Sequence, residues 1–213
     1  YVESGQAPSG RPASAAANAQ AGGLGRWLAQ LGSESYYDRI EAQSAIERNG
    51  RAGLEVLHQA VRKGELSVRA RKHAVWIVAR VGGQSSVEEL VGLAETDPDP
   101  GVRVQAIRAV ADLTDPVLIQ HRLDAGPGDV LLAGRLAQLA ARDQDSRVLR
   151  EAVVALGRLR WAEAPAWLER TLQKTDPALA HAAMQTLRRS ENWSAILKLL
   201  DESGSQPLRA GVG

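Results

Sequence analysis

The chain has 213 residues, including 35 alanines, 26 leucines and 22 arginines against 4 lysines, and it contains neither cysteine nor phenylalanine. Without a thiol it has no disulfide framework, cysteine-ligated zinc or iron–sulfur centre, covalently attached haem or cysteine nucleophile. Residues 26–202 carry 24 basic and 24 acidic side chains, so they offer no surplus of positive charge to displace counterions from nucleic-acid phosphates.

Alanine, leucine and arginine are strong helix formers, whereas strands draw on aromatic and β-branched residues, so the composition predicts helices. Residues 1–23 are Gly, Ser, Ala, Pro and Gln with almost no large apolar side chain. Such a stretch cannot bury enough surface to offset its ordering entropy and is expected to be a low-complexity linker or tail. Residues 203–213 repeat that character. Leu24, Trp27, Leu28 and Leu31 fall at i, i+3, i+4 and i+7, the spacing of a short amphipathic capping helix.

From there the chain repeats. Five segments align on Ala42, Ala74, Ala106, Ala152 and Ala183, at intervals of 32, 32, 46 and 31 residues. Four residues after each alanine stand Ile46, Val78, Val110, Leu156 and Leu187; one residue after stand Gln43, Val75, Ile107, Val153 and Met184. A small residue with aliphatics one and four later makes a stripe on one helical face, and the alanine lets neighbouring helices approach closely. Each such helix is followed by a second apolar-periodic one, expected over 52–63, 84–95, 129–142, 164–174 and 192–201. The 46-residue interval is one ordinary repeat carrying an insertion. There Asp115-Pro116 opens a turn-like stretch to His121, and Gly126-Pro127-Gly128 ends it. Asp99-Pro100, Asp115-Pro116 and Asp176-Pro177 mark helix starts, since Asp caps free N–H groups and Pro at the first helical position gives up no bond. Gly50 and Gly82 are expected at the turns between paired helices.

The run Asp99-Pro100-Gly101-Val102-Arg103 followed by QAIRAVADL resembles the DPxVRxxAxxAL signature of HEAT repeats, and the spacing is similar to their short, phycobilisome-lyase-type variety. The resemblance covers roughly 33–202. It implies an all-α, right-handed α–α superhelix of about five helical pairs over residues 24–202, with the second helices lining a concave face. A narrower resemblance rests on RKHAVWIVARVGG (71–83), GRLRWAEAPAWL (157–168) and ALAHAAMQTLRRSENW (178–193). These look like the helical middle of large bacterial secreted proteins that join a dehydrogenase-like β-propeller to a haem-binding module. That likeness implies a multidomain fragment acting as a spacer, in a periplasmic or secreted location.

Motifs for chemistry are sparse. No two of His58, His73, His121 and His181 share an i, i+4 spacing, so no metal site is expected. The G-x-S-x-G, Walker A and strand-borne G-x-G-x-x-G patterns do not occur, and no cofactor is expected. His73 and His181 stand just before aligned alanines and read as polar residues beside the seam between repeats. Asn192-Trp193-Ser194 matches a glycosylation sequon but opens a helix. Two arginine columns are the best-defined polar feature. One lies six residues after the alanines (Arg48, Arg80, Arg158 and Arg189, with Asp112 in the third repeat); the other lies three before (Arg39, Arg71, Arg103). The first column, with Trp76, is the candidate partner-binding ridge, because forked guanidinium groups suit anionic or acidic partners. The competing reading is that both columns offset helix dipoles or bridge to a neighbouring repeat's Asp. Trp161, Trp167 and Trp193 read as large space-fillers of a core without Phe. The function expected is a non-enzymatic, monomeric scaffold or spacer contacting a protein partner or neighbouring domain. Two alternatives follow from the HEAT resemblance alone: a nucleic-acid-binding domain similar to alkylpurine glycosylases, and a bilin-lyase-like module.

Overall fold

The computed structural model describes residues 23–172 and 176–202, in which every regular element is helical. The expected linker and tail at either end thus fall almost entirely outside the described residues, as do 173–175 of the expected 164–174 helix. The chain divides into two compact units, Tyr1–Ala74 and Val75–Gly213, and the division falls within one helix.

In the first unit residues 23–30 form α1. It is followed by α2 (Tyr36–Arg48), α3 (Gly50–Arg62) and the opening turns of α4 (Val68–Gly82). Ser35 starts α2 by accepting from the Asp38 N–H, satisfying one of the donors a helix leaves free at its N-terminus. Asn49 alone separates α2 from α3, and Gly50 makes the reversal at φ +52°, a left-handed conformation that costs glycine little. A Cβ on Gly53 would run into the Ile46 carbonyl, so α3 lies directly on the α2 backbone there. Leu24, Leu31, Ala42, Ile46 and Leu57 form the buried centre of this unit.

The second unit continues α4 and passes through a 3-10 turn (Gly83–Ser86). There follow α5 (Val87–Thr96), α6 (Pro100–Thr114), α7 (Pro116–Gln120), α8 (Val130–Arg142), α9 (Ser146–Arg158), α10 (Ala164–Thr171), α11 (Pro177–Ser190) and α12 (Trp193–Glu202). Helix α9 packs between α6 and α11, while α5, α8 and α10 each pack on the alanine helix that follows them. The aligned alanines Ala106, Ala152 and Ala183 are buried, as are Val78, Val110, Leu156 and Leu187; Ala74, the last residue of the first unit, is buried too. The stripe read from the sequence is therefore the packing face.

Aspartate starts most of these helices. Asp99, Asp115 and Asp176 accept backbone N–H bonds with Pro in the first turn, as expected. Asp129 and Asp145 cap α8 and α9 in the same way without a proline. The insertion is α7 plus the loop that follows it. His121 closes α7 in a left-handed conformation, and the Gly128 N–H donates to the Leu159 carbonyl at 2.8 Å. A Cβ on Gly128 would stand 2.9 Å from the Leu159 side chain, so the insertion returns against the end of α9 through a residue without one.

Two expectations change. Gly82 is right-handed, and it is Gly83, at φ +57°, that makes the turn, because α4 runs one residue further than its apolar spacing indicated. Trp193 is 58 % exposed and Leu197 57 %, whereas Ile196 and Leu199 are buried. Helix α12 packs on α10, and among its described side chains Ile196 and Leu199 are the buried ones, so Trp193 fills no core there. Trp161 and Trp167 are buried, as expected, and meet edge to face with ring centroids 6.5 Å apart.

Candidate functional site

The arginines three residues before the aligned alanines share one local device. Arg39 donates to the carbonyls of Ser33 and Glu34, Arg71 to that of Leu66, and Arg103 to those of Asp97 and Pro98. Each side chain thus folds back over its own helix start and holds the preceding turn. Arg103 then spans to the next repeat with a forked pair on Asp143 at 2.8 and 3.0 Å. Arg39 donates to His73 Nε2 at 3.3 Å, while His73 Nδ1 meets Gln43 Oε1 at 2.7 Å. Burial, aided by the Arg39 charge, holds His73 below the usual histidine range, which keeps Nε2 free to accept. His73 is thus a seam residue between α2 and α4, as its position suggested.

The column six residues after the alanines is not uniform. Arg48 and Arg80 are exposed in the last turns of α2 and α4, one in each unit. Arg158 is instead sunk between two carboxylates, donating to Asp112 at 2.5 Å and to Asp115 at 3.0 Å. Burial works against its charge, but its hydrogen bonds to Asp112 and Asp115, together with their negative charges, outweigh that and hold the guanidinium more firmly protonated. The acid at this register in the third repeat therefore pairs with the arginine at the same register in the fourth. The structure brings Arg158 together with Asp112 and leaves Arg189 exposed on α11.

Trp76 is also engaged. Its Nε1 donates to Gln105 Oε1 at 3.0 Å, joining the residue two after one aligned alanine to the residue one before the next. The following seam repeats the connection with a different pair: Arg108 forks onto Glu151 at 3.1 and 2.6 Å, with Glu151 buried. Sequence periodicity set Trp76 off the apolar stripe but gave no sign of Gln105 or Glu151. The signal that would have found them is the product of two registers, two after and one before the alanine.

Three grooves mark the second unit. The largest of the three, 710 Å³, lies by α5, α6 and α8, and two of its three arginines, Arg103 and Arg135, are occupied. Arg135 forks onto Glu95 at 2.7 and 2.8 Å and reaches Glu88 at 2.7 Å, and Arg103 is taken by Asp143. Donating to Glu95 and Glu88 raises the Arg135 pKa, and accepting from Arg135 lowers that of Glu95. A second groove, 350 Å³, lies beside the insertion between Gln84, Ile119 and Leu132. The third, 340 Å³, runs between α9 and α11, with Val154, Gly157, Ala178 and Ala182 inside and Arg150, His181 and Arg189 at its border.

Among the described residues no group of His, Asp or Glu is placed to hold a metal ion, and no helix is long and apolar enough to cross a membrane. Asn192 of the sequon is tied down: its Nδ2 donates to the Ala162 carbonyl at 2.7 Å, and its Oδ1 accepts from the Ala195 N–H and the Ser194 hydroxyl.

No curated protein matches the chain. Residues 54–131 match the family model described as HEAT repeats, a stretch running from α3 through the insertion to the start of α8. With paired helices registered on buried alanines, the described residues form an all-α helical solenoid, within which residues 54–131 match HEAT repeats.

Proposed function

We propose that this chain is a non-enzymatic scaffold or spacer, contacting a protein partner or neighbouring domains of a larger protein through the surface of its stacked helices. HEAT repeats commonly serve protein–protein interaction, and the match over 54–131 supports that role here. The observation that carries the reading is how the polar side chains are used. The arginines and carboxylates that line up along the repeats, Arg103–Asp143, Arg108–Glu151 and Arg158–Asp112, close on one another. What they build, among the described residues, is a braced surface whose charged groups are spent on one another. Of that column, Arg48 in the first unit and Arg80 and Arg189 in the second are exposed, and each is proposed, within its own unit, to meet an acidic partner.

The reading is tested by crosslinking the purified chain in extract of its source cells, with DNA retention measured in parallel at about 50 mM salt. Saturable capture of one protein or domain, with no retention on DNA, is the expected result. Salt-dependent DNA retention with no protein captured would replace the scaffold with the nucleic-acid alternative.

A further inference from the structure

The seams between successive alanine helices of the second unit are closed by side chains at fixed registers: Trp76 on Gln105 and Arg108 on Glu151. At the α9–α11 seam the equivalent residues are Val154 and Ala182, two after Ala152 and one before Ala183. Neither is long or polar enough to bridge, and the 340 Å³ groove opens here. Beneath it the helices touch directly. A Cβ on Gly157 would lie 2.6 Å from Thr186 Oγ1, and that hydroxyl donates to the Val153 carbonyl at 2.6 Å. The floor is therefore rigid and cannot collapse to fill the gap.

The rim has one sign. Among the described residues no carboxylate lines the groove, and Arg150, His181 and Arg189 are exposed without an ion pair to any of them. The 710 Å³ groove is by contrast lined by the carboxylates Glu95, Asp97 and Asp143, and two of its three arginines, Arg103 and Arg135, are spent on Asp143, Glu88 and Glu95. We propose that the α9–α11 seam docks an acidic protein segment, which inserts one apolar side chain over Val154 where Trp76 and Arg108 fill the neighbouring seams, and lays flanking carboxylates on Arg150 and Arg189. The forked guanidinium matches a carboxylate with two parallel hydrogen bonds. A phosphate backbone is the poorer fit, because the chain's net charge is only +1 and the floor is apolar. This proposal rests on the scaffold reading and gives it a specific surface.

The test uses the full 213-residue chain and three fluorescent peptides: Glu-Asp-Leu-Asp-Glu, its Ser-for-Leu version, and Lys-Arg-Leu-Arg-Lys. Anisotropy is expected to show binding of the first and binding at least about tenfold weaker for the other two. Arg150→Glu with Arg189→Glu is expected to weaken the first peptide about tenfold or more. Val154→Arg with Ala182→Glu, which copies the Arg108–Glu151 bridge, is expected to do the same by closing the groove. Thermal unfolding checks that each variant folds; a pair that loses its transition is replaced by the single exposed change Arg189→Glu. Equal binding of acidic and basic peptides, no binding of the acidic one, or indifference to Arg150→Glu with Arg189→Glu overturns the proposal. If that pair still captures the extract partner unchanged, the groove is refuted while the scaffold reading stands.

Discussion

At the scale of single residues, the same amino acid at the same register does different work depending on what the next repeat presents. Arg158 faces Asp112 and the largely buried Asp115, so Arg158→Ala leaves a desolvated carboxylate with one partner fewer. That loss is expected to cost about 2 kcal/mol in urea unfolding. Arg48→Ala, at an exposed helix end, is expected to change stability by less than about 0.5 kcal/mol. The arginine columns were legible in the sequence because repeat registers stack. Their pairing was not, since the partners lie 43 and 46 residues apart across an insertion of irregular length.

His73 adds a pH dependence. Its folded-state pKa lies below the ~6.5 of an unfolded chain, so the unfolded state takes up a proton first. Its contribution to stability is full above about pH 6.5 and is lost as pH falls through the lowered value. Urea midpoints of the wild type should fall between pH 7 and 5, and His73→Gln should flatten that fall. The depressed carboxylates Glu95 and Asp145, the latter lowered to about 2 by its bond to Arg147, respond only in more acidic solution.

At the scale of elements, capping decides where helices begin. The Asp-Pro starts were readable because proline marks the position as well as aspartate does. Asp129 and Asp145 carry the same bonds without that flag, and aspartate alone is equally at home in a loop. Asp129→Ala removes the acceptor for the Leu131 and Leu132 N–H groups and is expected to cost about 1 kcal/mol by thermal or urea unfolding. Trp193 shows the limit of reasoning from composition. A large aromatic in a Phe-free chain reads as core, but in α12 Ile196 and Leu199 are buried while Trp193 is exposed, and no intrinsic property of tryptophan reveals which face has a neighbour. The insertion was legible as an interruption of the period, whereas its return against Leu159 through Gly128 was not. Gly128→Val is expected to destabilise by about 1–3 kcal/mol, since the new side chain meets Leu159.

At the scale of the whole molecule, the repeat class followed from one register. Buried alanines spaced about a repeat apart placed the packing face, and the 54–131 match agrees with it. The candidate site was less legible, because a groove formed by what two seams have and a third lacks shows only when all three are compared. Val154 and Ala182 look like ordinary core residues in isolation; beside Trp76–Gln105 and Arg108–Glu151 they mark the unbridged seam. The measurement that most directly tests this account is hydrogen–deuterium exchange of the full chain with and without its crosslinked partner. New protection concentrated in α9 and α11, around Val154 and Ala182, is the predicted result; protection confined to α5 and α8, with α9 and α11 unchanged, would contradict it.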